Sequence, residues 1–325
     1  MDRQDSAEGI LLGLACGDAL GRPVEFRSPE AIEAKYGELT EMVGNGTHGK
    51  PAGTITDDTE QALCIARSLV ECGGFVPGDI AERFVAWYND DPFDIGIMTA
   101  DALGRIDRGA SWDDAGQDVW EIKPEGSNAG NGSVMRCAPL ALASDDRETL
   151  RRVSRDSSRI THADPRCTYG CAALNCTIAA MLDEDEKPLS TALDAVRTDA
   201  PDDLVDILES IPDSVARDEL QNSGFVLYTL QTALYHALTA DSAEAAIVNA
   251  VNEGGDTDTI GAVAGAVAGA RFGASALPER WLETPQATDE PRTLAQDLST
   301  LEYDIARRSS VVQRNRERTN GFCPE

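Results

Sequence analysis

The stretch Asn252-Glu253-Gly254-Gly255-Asp256-Thr257-Asp258-Thr259-Ile260-Gly261-Ala262 combines two aspartates with small residues in a way that ordinary helix packing does not require. A second stretch near the other end of the chain, Thr54-Ile55-Thr56-Asp57-Asp58-Thr59, repeats the same acid and hydroxyl groups. Each stretch runs directly into an apolar pattern of helical period, over residues 260–272 and 60–72. The two stretches predict oxygen-rich loops at two helix starts that form the halves of one metal site. A chain that builds one site from both ends folds back on itself as a single unit.

The side chains of both stretches favour a hard metal ion. Mg²⁺, Mn²⁺ and Ca²⁺ prefer oxygen ligands, whereas Zn²⁺ prefers His and Cys, which neither stretch contains. Asp256 and Asp258 can converge in an extended loop, while the adjacent Asp57 and Asp58 point apart and can serve two ions. Ions in two-metal sites lie about 3.5–4 Å apart and share carboxylates. The competing interpretation makes Asp58 and Asp258 helix N-caps. One cap per helix leaves Asp57, Asp256 and the glycines unexplained, so metal ligation is favoured.

The length and net charge of the chain indicate a protein with a large core and an acidic surface. The 325-residue chain is long enough to bury a substantial core. Its formal net charge is −29, from 57 acidic and 28 basic residues. This charge argues against nucleic acid and anionic membranes as partners, because both attract clustered positive charge. Strong acidity with few lysines also suggests a halophilic habitat, since screening shortens charge repulsion to about 3 Å at 1 M salt.

The chain shows no signal for export or membrane insertion. No apolar run approaches the roughly 20 residues needed to cross a bilayer, and Met1-Asp2-Arg3-Gln4-Asp5 lacks the basic and apolar regions of a signal peptide. The eight cysteines include no Cys-x-x-Cys and lie mostly in apolar helical patterns, which is typical of reduced core residues. These features predict a soluble cytoplasmic protein with no membrane partner.

Apolar residues recur at helical spacing through most of the chain, and the long alternating runs typical of strands are missing. The fold is therefore predicted to be all-α, with at most a trivial hairpin. Ser28-Pro29 is a good helix start, and Asp164-Pro165 starts a helix that runs to Leu182. The other predicted helices span residues 6–20, 60–72, 79–88, 95–106, 146–159, 189–197, 203–208, 225–238, 243–251, 260–272 and 293–308. One domain is predicted over residues 1–308, with a loosely held polar tail over residues 309–325.

Three further features lie between these helices. Glu25 is a carboxylate on the loop that leaves the first helix. The Gly- and Asn-rich loop 126–133 precedes a predicted helix start at Val134, where exposed N–H groups would suit a phosphate or diphosphate. A surface turn is the competing interpretation of that loop. His162 lies at a loop-to-helix junction near the predicted cleft, whereas His236 lies within a helical pattern.

Several motifs fall in one order over residues 9 to about 273. They are Gly13-Leu14-Ala15-Cys16-Gly17-Asp18-Ala19-Leu20-Gly21 with Glu25, then Thr56-Asp57-Asp58-Thr59, then Gly130-Asn131-Gly132-Ser133-Val134-Met135-Arg136, then His162, then Gly254-Gly255-Asp256-Thr257-Asp258-Thr259-Ile260-Gly261. In content and order the chain resembles the ADP-ribosylglycohydrolases. The two acidic motifs with an Asn-Gly-x-x-Met-Arg loop between them are highly specific, whereas the first segment alone is not.

The resemblance implies a compact single-domain helical bundle with a binuclear Mg²⁺ or Mn²⁺ centre at the base of a cleft. It implies that Glu25 is the catalytic acid or base and that His162 lies at the nucleoside or ribose of the ligand. The implied metal ligands are Thr56, Asp57, Asp58, Asp256, Asp258 and Thr259. The other implied substrate-binding residues are Gly130, Asn131, Gly132, Ser133 and Met135, with loop 130–133 at the diphosphate.

The predicted function is hydrolysis of the glycosidic bond between ADP-ribose and a protein side chain or small acceptor. Cleavage at the anomeric carbon develops oxocarbenium character and needs an activated water and a proton for the leaving group. Paired metals can lower the pKa of a bound water, while Glu25 moves the proton. Two alternatives stay open, a non-catalytic ADP-ribose binder and a two-metal phosphoester hydrolase that acts on a nucleotide. The expected partner is an ADP-ribosylated protein or a small ADP-ribose conjugate, of a linkage that the sequence leaves open.

Overall fold

The computed structural model describes residues 2–124, 126–283 and 285–301, which form α-helices joined by turns and short 3₁₀ segments. The α-helices are α1 (Arg3–Gly21), α2 (Pro29–Tyr36), α3 (Asp57–Cys72), α4 (Pro77–Asn89), α5 (Ile97–Asp107), α6 (Trp112–Ile122), α7 (Arg147–Arg159), α8 (Pro165–Leu182), α9 (Pro188–Val196), α10 (Asp202–Ser210), α11 (Val226–Thr239), α12 (Ala243–Asn252), α13 (Thr257–Phe272), α14 (Glu279–Leu282) and α15 (Pro285–Thr300). The β-pairing of these residues is limited to isolated bridges, one of which, Asn45 to Lys50, closes a small hairpin. The all-α prediction is confirmed.

The helix starts predicted from caps agree with the structure. Ser28 caps α2 by accepting a hydrogen bond from the Ala31 N–H, and Asp164 caps α8 by accepting one from the Arg166 N–H. The helix predicted over 293–308 corresponds to α15, which begins earlier, at Pro285. Residues 302–308 and the predicted tail over 309–325 lie outside the described residues, so the domain boundary stays a prediction.

Two features differ from the sequence prediction. α6 has no counterpart among the predicted helices, because its buried face consists mainly of small residues, Ala115, Gly116 and Val119, which give a weak periodic signal. The predicted helix start at Val134 is wrong. Residues 131–136 form turns, and a short 3₁₀ segment, Ala138–Leu142, follows them. Pro139 lies in that segment and removes a backbone donor that a continuing helix would need.

α1 and α13 are the central helices, and both are buried along almost their whole length. Glycines recur every four residues on each helix and meet across the contact in the antiparallel pairs Gly9 with Gly269, Gly13 with Gly265, and Gly17 with Gly261. A Cβ atom on Gly265 would lie 2.0 Å from the Gly13 carbonyl oxygen, so the two backbones are in direct contact. The antiparallel packing places the start of α13 beside the end of α1, where the Thr257 hydroxyl donates to the Gly21 carbonyl (2.8 Å).

The other helices surround this pair. α3 and α15 pack on α1, whereas α8, α11 and α12 pack on α13. Residues from α1, α3, α8, α11 and α13 belong to one apolar cluster, so these helices share a core. None of the helices in the described ranges is both long and apolar enough to cross a bilayer. The cytoplasmic location and the high-salt habitat stay predictions.

The central glycine contact makes a prediction about stability. Gly265→Ala should lower the free energy of unfolding by about 3 kcal/mol or more, because its methyl group has no space between two backbones. Gly78→Ala is the matched control. A Cβ atom on Gly78, in the first turn of α4, would meet only Trp112 Cδ1 at 4.0 Å, so this change should be neutral or stabilising by up to about 1 kcal/mol. Urea denaturation of both variants measures the difference, and equal stabilities would contradict the packing.

Candidate metal centre and active-site cleft

Asp18, near the end of α1, fixes the start of α3. Its buried carboxylate accepts hydrogen bonds from the backbone N–H and the hydroxyl of both Thr56 and Thr59, at 2.5 to 3.2 Å. Burial raises the pKa of Asp18 to about 6, although these hydrogen bonds act to lower it. Thr56 is thereby held as the N-cap of α3, which places Asp57 and Asp58 in its first turn. The interpretation of Asp58 as the cap is wrong.

The start of α13 has a similar arrangement. Asp256 occupies the N-cap position without a side-chain cap bond, and Asp258 lies inside the first turn, so Asp258 is not the cap either. Gly254 and Gly255 both have positive φ (74° and 76°), a conformation that glycine adopts readily, and this explains the two glycines of the motif. The turn is tied to the Glu25 loop, because Phe26 N–H donates to the Gly255 carbonyl (2.7 Å).

The two acidic stretches meet in space. The Thr259 hydroxyl of α13 donates to Asp58 Oδ2 of α3 (3.4 Å). Glu25, Asp256 and Asp258 each offer one oxygen atom, and these three atoms lie within 4.8 Å of one another. A cleft of about 430 Å³ is lined by all of these residues and by Asp57. A larger cavity of about 710 Å³, between α3 and α4, contains none of the predicted ligands among its lining residues.

The charge of the cleft fits divalent cations. Burial, followed by repulsion from neighbouring carboxylates, raises the pKa values of Asp57, Asp58 and Asp258 well above their usual range. Among the described residues, the ion pairs of the cleft are those of His48 with Glu25 and Asp94, and no lysine or arginine pairs with the other carboxylates. Asp58 Oδ1 is buried without a hydrogen-bond partner. Buried carboxylates need a counter-charge, and oxygen donors of this kind suit Mg²⁺ or Mn²⁺.

The six predicted ligands are not equally placed. Asp57, Asp58, Asp256, Asp258 and Thr259 line the cleft. Thr56 does not line it. Its hydroxyl oxygen lies 2.9 Å from Asp18 Oδ1 and 3.1 Å from Asp58 Oδ2, at the edge of the cluster. The ligand roles of all six residues stay predictions.

The loop predicted to hold the diphosphate forms one wall of the cleft, to which it contributes Gly130, Asn131, Gly132 and Met135. Asn131 Nδ2 donates to Asp256 Oδ2 (2.7 Å), so the loop is bonded directly to the acidic cluster. Ser133 is the exception, because its side chain is buried behind the wall and accepts a hydrogen bond from the Ser158 hydroxyl (2.9 Å). Because no α-helix follows the loop, a helix dipole does not contribute to anion binding there.

His162 lines the cleft, and a chain of buried polar side chains connects it to Asp57 of the acidic cluster. Arg136, which is 1% exposed, donates to Gln61 Oε1 and to the Thr161 hydroxyl oxygen (2.6 Å). That hydroxyl lies 2.8 Å from His162 Nδ1, and Gln61 Nε2 donates to Asp57 Oδ2 (3.4 Å). Burial, with a smaller effect of the Arg136 charge, lowers the pKa of His162 to about 3. His162 is therefore neutral, and we assign its hydrogen to Nε2, because the Thr161 hydroxyl can donate to Nδ1.

Sequence reasoning missed three residues of the site. Asp18 was visible as a charged residue in a helix of small and apolar residues, a signal that could have identified it as buried and functional. Asp94 lines the cleft, but it lies in a loop with no recognisable pattern. His48 contacts both Glu25 and Asp94, which only the folded structure reveals.

Comparison with known proteins agrees with this geometry. A family model described as ADP-ribosylglycohydrolase matches residues 1–308. The chain belongs to the ADP-ribosylglycohydrolase family. The family and the enzyme class predicted from the sequence motifs are thereby confirmed.

Individual relatives of this ADP-ribosylglycohydrolase chain cover most of its length. It is 33% identical over 279 residues to the ADP-ribosyl-[dinitrogen reductase] glycohydrolase of Rhodospirillum rubrum. The alignment covers 86% of this chain and 89% of the relative. It is 33% identical over 305 residues to the ADP-ribosylarginine hydrolase Tri1 of Pseudomonas putida, and this alignment covers 90% of this chain and 78% of the relative. A solved ADP-ribosylglycohydrolase-related protein complex contains a chain that superposes with a TM-score of 0.79 at 34% identity, covering 92% of this chain and 99% of that one.

The acidic cluster predicts a metal-dependent change in stability. Mg²⁺ or Mn²⁺ at about 100 times its dissociation constant should stabilise the wild-type protein by about 2.7 kcal/mol, because it binds only the folded state. Asp258→Asn should lose most of this gain, yet be at least as stable as wild type in EDTA, since it removes one buried negative charge. Thermal denaturation with and without metal measures both effects. Asp206→Asn, on the exposed surface of α10, is the charge-matched control, and an equal metal response in both variants would contradict the site.

The burial of His162 predicts a dependence of stability on acid. Its folded-state pKa of about 3 lies below the ordinary 6.5, so the unfolded chain takes up the proton first. The stabilisation is complete above about pH 6.5 and is lost as the pH falls toward 3, by up to about 1.4 kcal/mol per pH unit. Urea denaturation of wild type and His162→Gln at a series of pH values isolates this proton. Parallel stability curves for the two proteins would show that His162 is not buried in its neutral form.

Proposed function

We propose that this chain is a divalent-metal-dependent hydrolase that cleaves the glycosidic bond between ADP-ribose and a protein side chain or small acceptor. The observation that carries the proposal is the convergence of Glu25, Asp256 and Asp258 within 4.8 Å. This convergence lies in a cleft whose other wall holds Asn131 and His162. Membership of the family supports the reaction class, and relatives named for ADP-ribosyl glycohydrolase and ADP-ribosylarginine hydrolase activity support ADP-ribose conjugates as substrates.

The residues proposed to hold two Mg²⁺ or Mn²⁺ ions are Thr56, Asp57, Asp58, Asp256, Asp258 and Thr259. Bound there, the cations would supply charge stabilisation for ribose oxygens and a bound water of lowered pKa. The protein holds these oxygens in place through hydrogen bonds from side-chain and backbone donors. Asn131 donates to Asp256, and the Thr259 N–H donates to Asp258 Oδ1 (2.9 Å). The carboxylates are therefore oriented by hydrogen bonds that do not depend on a ligand.

Glu25 is proposed as the acid and base of the reaction. Burial, followed by the charges of Asp94 and Asp256, raises the pKa of Glu25 to about 9, so in the metal-free protein its carboxyl group holds a proton at neutral pH. A protonated carboxyl beside the reacting bond can give its proton to the leaving group, and the resulting carboxylate can accept one from water. The raised pKa of Glu25 thus agrees with both roles.

His162 and loop 130–133 are proposed to orient the ADP-ribose portion of the substrate. His162 is neutral and carries its hydrogen on Nε2, so it can donate one hydrogen bond into the cleft at any pH well above 3. Gly132 lies against this ring, since a Cβ atom there would lie 2.9 Å from His162 Cε1. The backbone of the loop can therefore approach a ligand closely. Gly130, Asn131, Gly132 and Met135 complete the proposed ligand contacts, with Ser133 supporting them from behind.

Replacement of Glu25 tests the proposal. Glu25→Gln should bind ADP-ribose with affinity similar to wild type but lose turnover of ADP-ribosylarginine by about 100-fold or more, because the amide cannot exchange the proton. Calorimetry with ADP-ribose and chromatography of the released products measure the two effects. Glu30→Gln, at an exposed position on α2, is the matched control and should keep wild-type activity.

The products of the wild-type reaction separate the alternatives. Release of free ADP-ribose supports the proposal. Release of inorganic phosphate or a mononucleotide indicates a phosphoester hydrolase, and binding of ADP-ribose without any release indicates a non-catalytic binder. Equal activity of wild type and Glu25→Gln would refute the role of Glu25.

A further inference from the structure

The loop between α2 and α3 carries His48 to the mouth of the cleft. This loop contains the small hairpin in which Asn45 N–H donates to the Lys50 carbonyl (2.7 Å). The buried guanidinium of Arg22 supports the loop from beneath, donating to the carbonyls of Thr54, Asn45 and Pro51 at 3.0 to 3.1 Å. The loop is therefore held by contacts that are independent of the His48 side chain.

The His48 ring contacts two carboxylates of the cleft that come from different loops. Its Nε2 lies 2.5 Å from Glu25 Oε2 and 3.4 Å from Asp94 Oδ2. The ring also packs edge-on against Phe93, with 5.4 Å between ring centroids. The side chains are largely buried, at 17% exposed for His48, 6% for Glu25 and 21% for Asp94. A residue from the hairpin thus connects the Glu25 loop with the loop between α4 and α5.

The geometry requires a hydrogen at the centre of this group. The Nε2 atom and the two carboxylate oxygens are all acceptors when deprotonated, and three acceptors at these distances would repel one another. A hydrogen therefore lies between His48 Nε2 and Glu25 Oε2. The 2.5 Å separation lies at the short end of hydrogen-bonded contacts, below the usual range of about 2.7–2.9 Å for charge-assisted N–H···O bonds, and leaves no room for a metal ion between the two atoms.

We propose that His48 is a positioning residue that holds the Glu25 carboxyl in its reactive place beside Asp256 and Asp258. Without this bond, the Glu25 side chain loses the contact that fixes its rotamer and can rotate away from Asp256 and Asp258. The inference deepens the proposed function and rests on it, because Glu25 is the group being positioned. It assigns the hairpin a role in turnover rather than in ADP-ribose binding.

Three variants separate positioning from structural support. His48→Ala removes the bond, and His48→Gln keeps an N–H donor close to the place of Nε2. Lys50→Met is the control in the same hairpin, since Lys50 Nζ lies 4.4 Å from the centre of the Phe93 ring and its side chain forms no ion pair with Glu25 or Asp94 among the described contacts. For each variant, kcat and KM are measured with ADP-ribosylarginine, together with the melting temperature.

The expected result is a fall in kcat of about 10- to 100-fold for His48→Ala, the usual effect of losing a group that orients a reactive side chain. KM and the melting temperature should change no more than in Lys50→Met, and His48→Gln should recover most of the lost kcat. The inference is overturned if His48→Ala keeps wild-type kcat, if His48→Gln is as slow as His48→Ala, or if Lys50→Met is equally slow.

Crystal structures of the same variants give a readout that does not need turnover. In His48→Ala the Glu25 carboxyl should leave its place beside Asp256 and Asp258, whereas in His48→Gln it should stay. An unmoved Glu25 in His48→Ala overturns the inference whatever the activity. If the wild-type protein releases no ADP-ribose, the proposed function fails, and this structural comparison still decides whether His48 positions Glu25.

Discussion

Gly13 and Gly265 lie so close that neither can carry a side chain, and this contact sets the relative positions of α1 and α13. Because glycines repeat every four residues on both helices, the antiparallel pair has one register in which all of them face each other. That register brings the end of α1 to the start of α13. Asp18 then binds the start of α3 at the same place. Three helix ends meet there, and each carries part of the acidic cluster.

The acidic cluster opposes the stability of the protein that contains it. Buried carboxylates that repel one another favour the unfolded chain, in which water solvates them. The protein offsets part of this effect with hydrogen-bond donors, such as Asn131 Nδ2 to Asp256 and the Thr259 N–H to Asp258. Asp58 Oδ1 is buried and has no donor among the described residues. This division is typical of a functional site, where stability is sacrificed for binding.

The sequence was sufficient for the fold class, for most helices and for the acidic cluster. Asp57, Asp58, Asp256 and Asp258 could be identified because several acids beside helix starts have few structural explanations. Local chemistry could not show which helix packs on α1, since small residues permit a close neighbour without specifying it. α6 escaped detection because its buried residues are small. Asp94 and His48 escaped because their roles depend on contacts between loops that are distant in sequence, and Ser133 showed that a residue of a specific motif can support the site from behind its surface.

The antiparallel pairing of α1 with α13 also affects the protein during its synthesis. α1 leaves the ribosome before α13, and its glycine face has no matching surface until α13 follows. Asp256, Asp258 and Thr259 are translated after Asp57 and Asp58, so the nascent chain carries only part of the acidic cluster until α13 is made. The cleft therefore cannot assemble before α13 is synthesised, and a polypeptide truncated before α13 lacks both the α1–α13 contact and the complete acidic cluster.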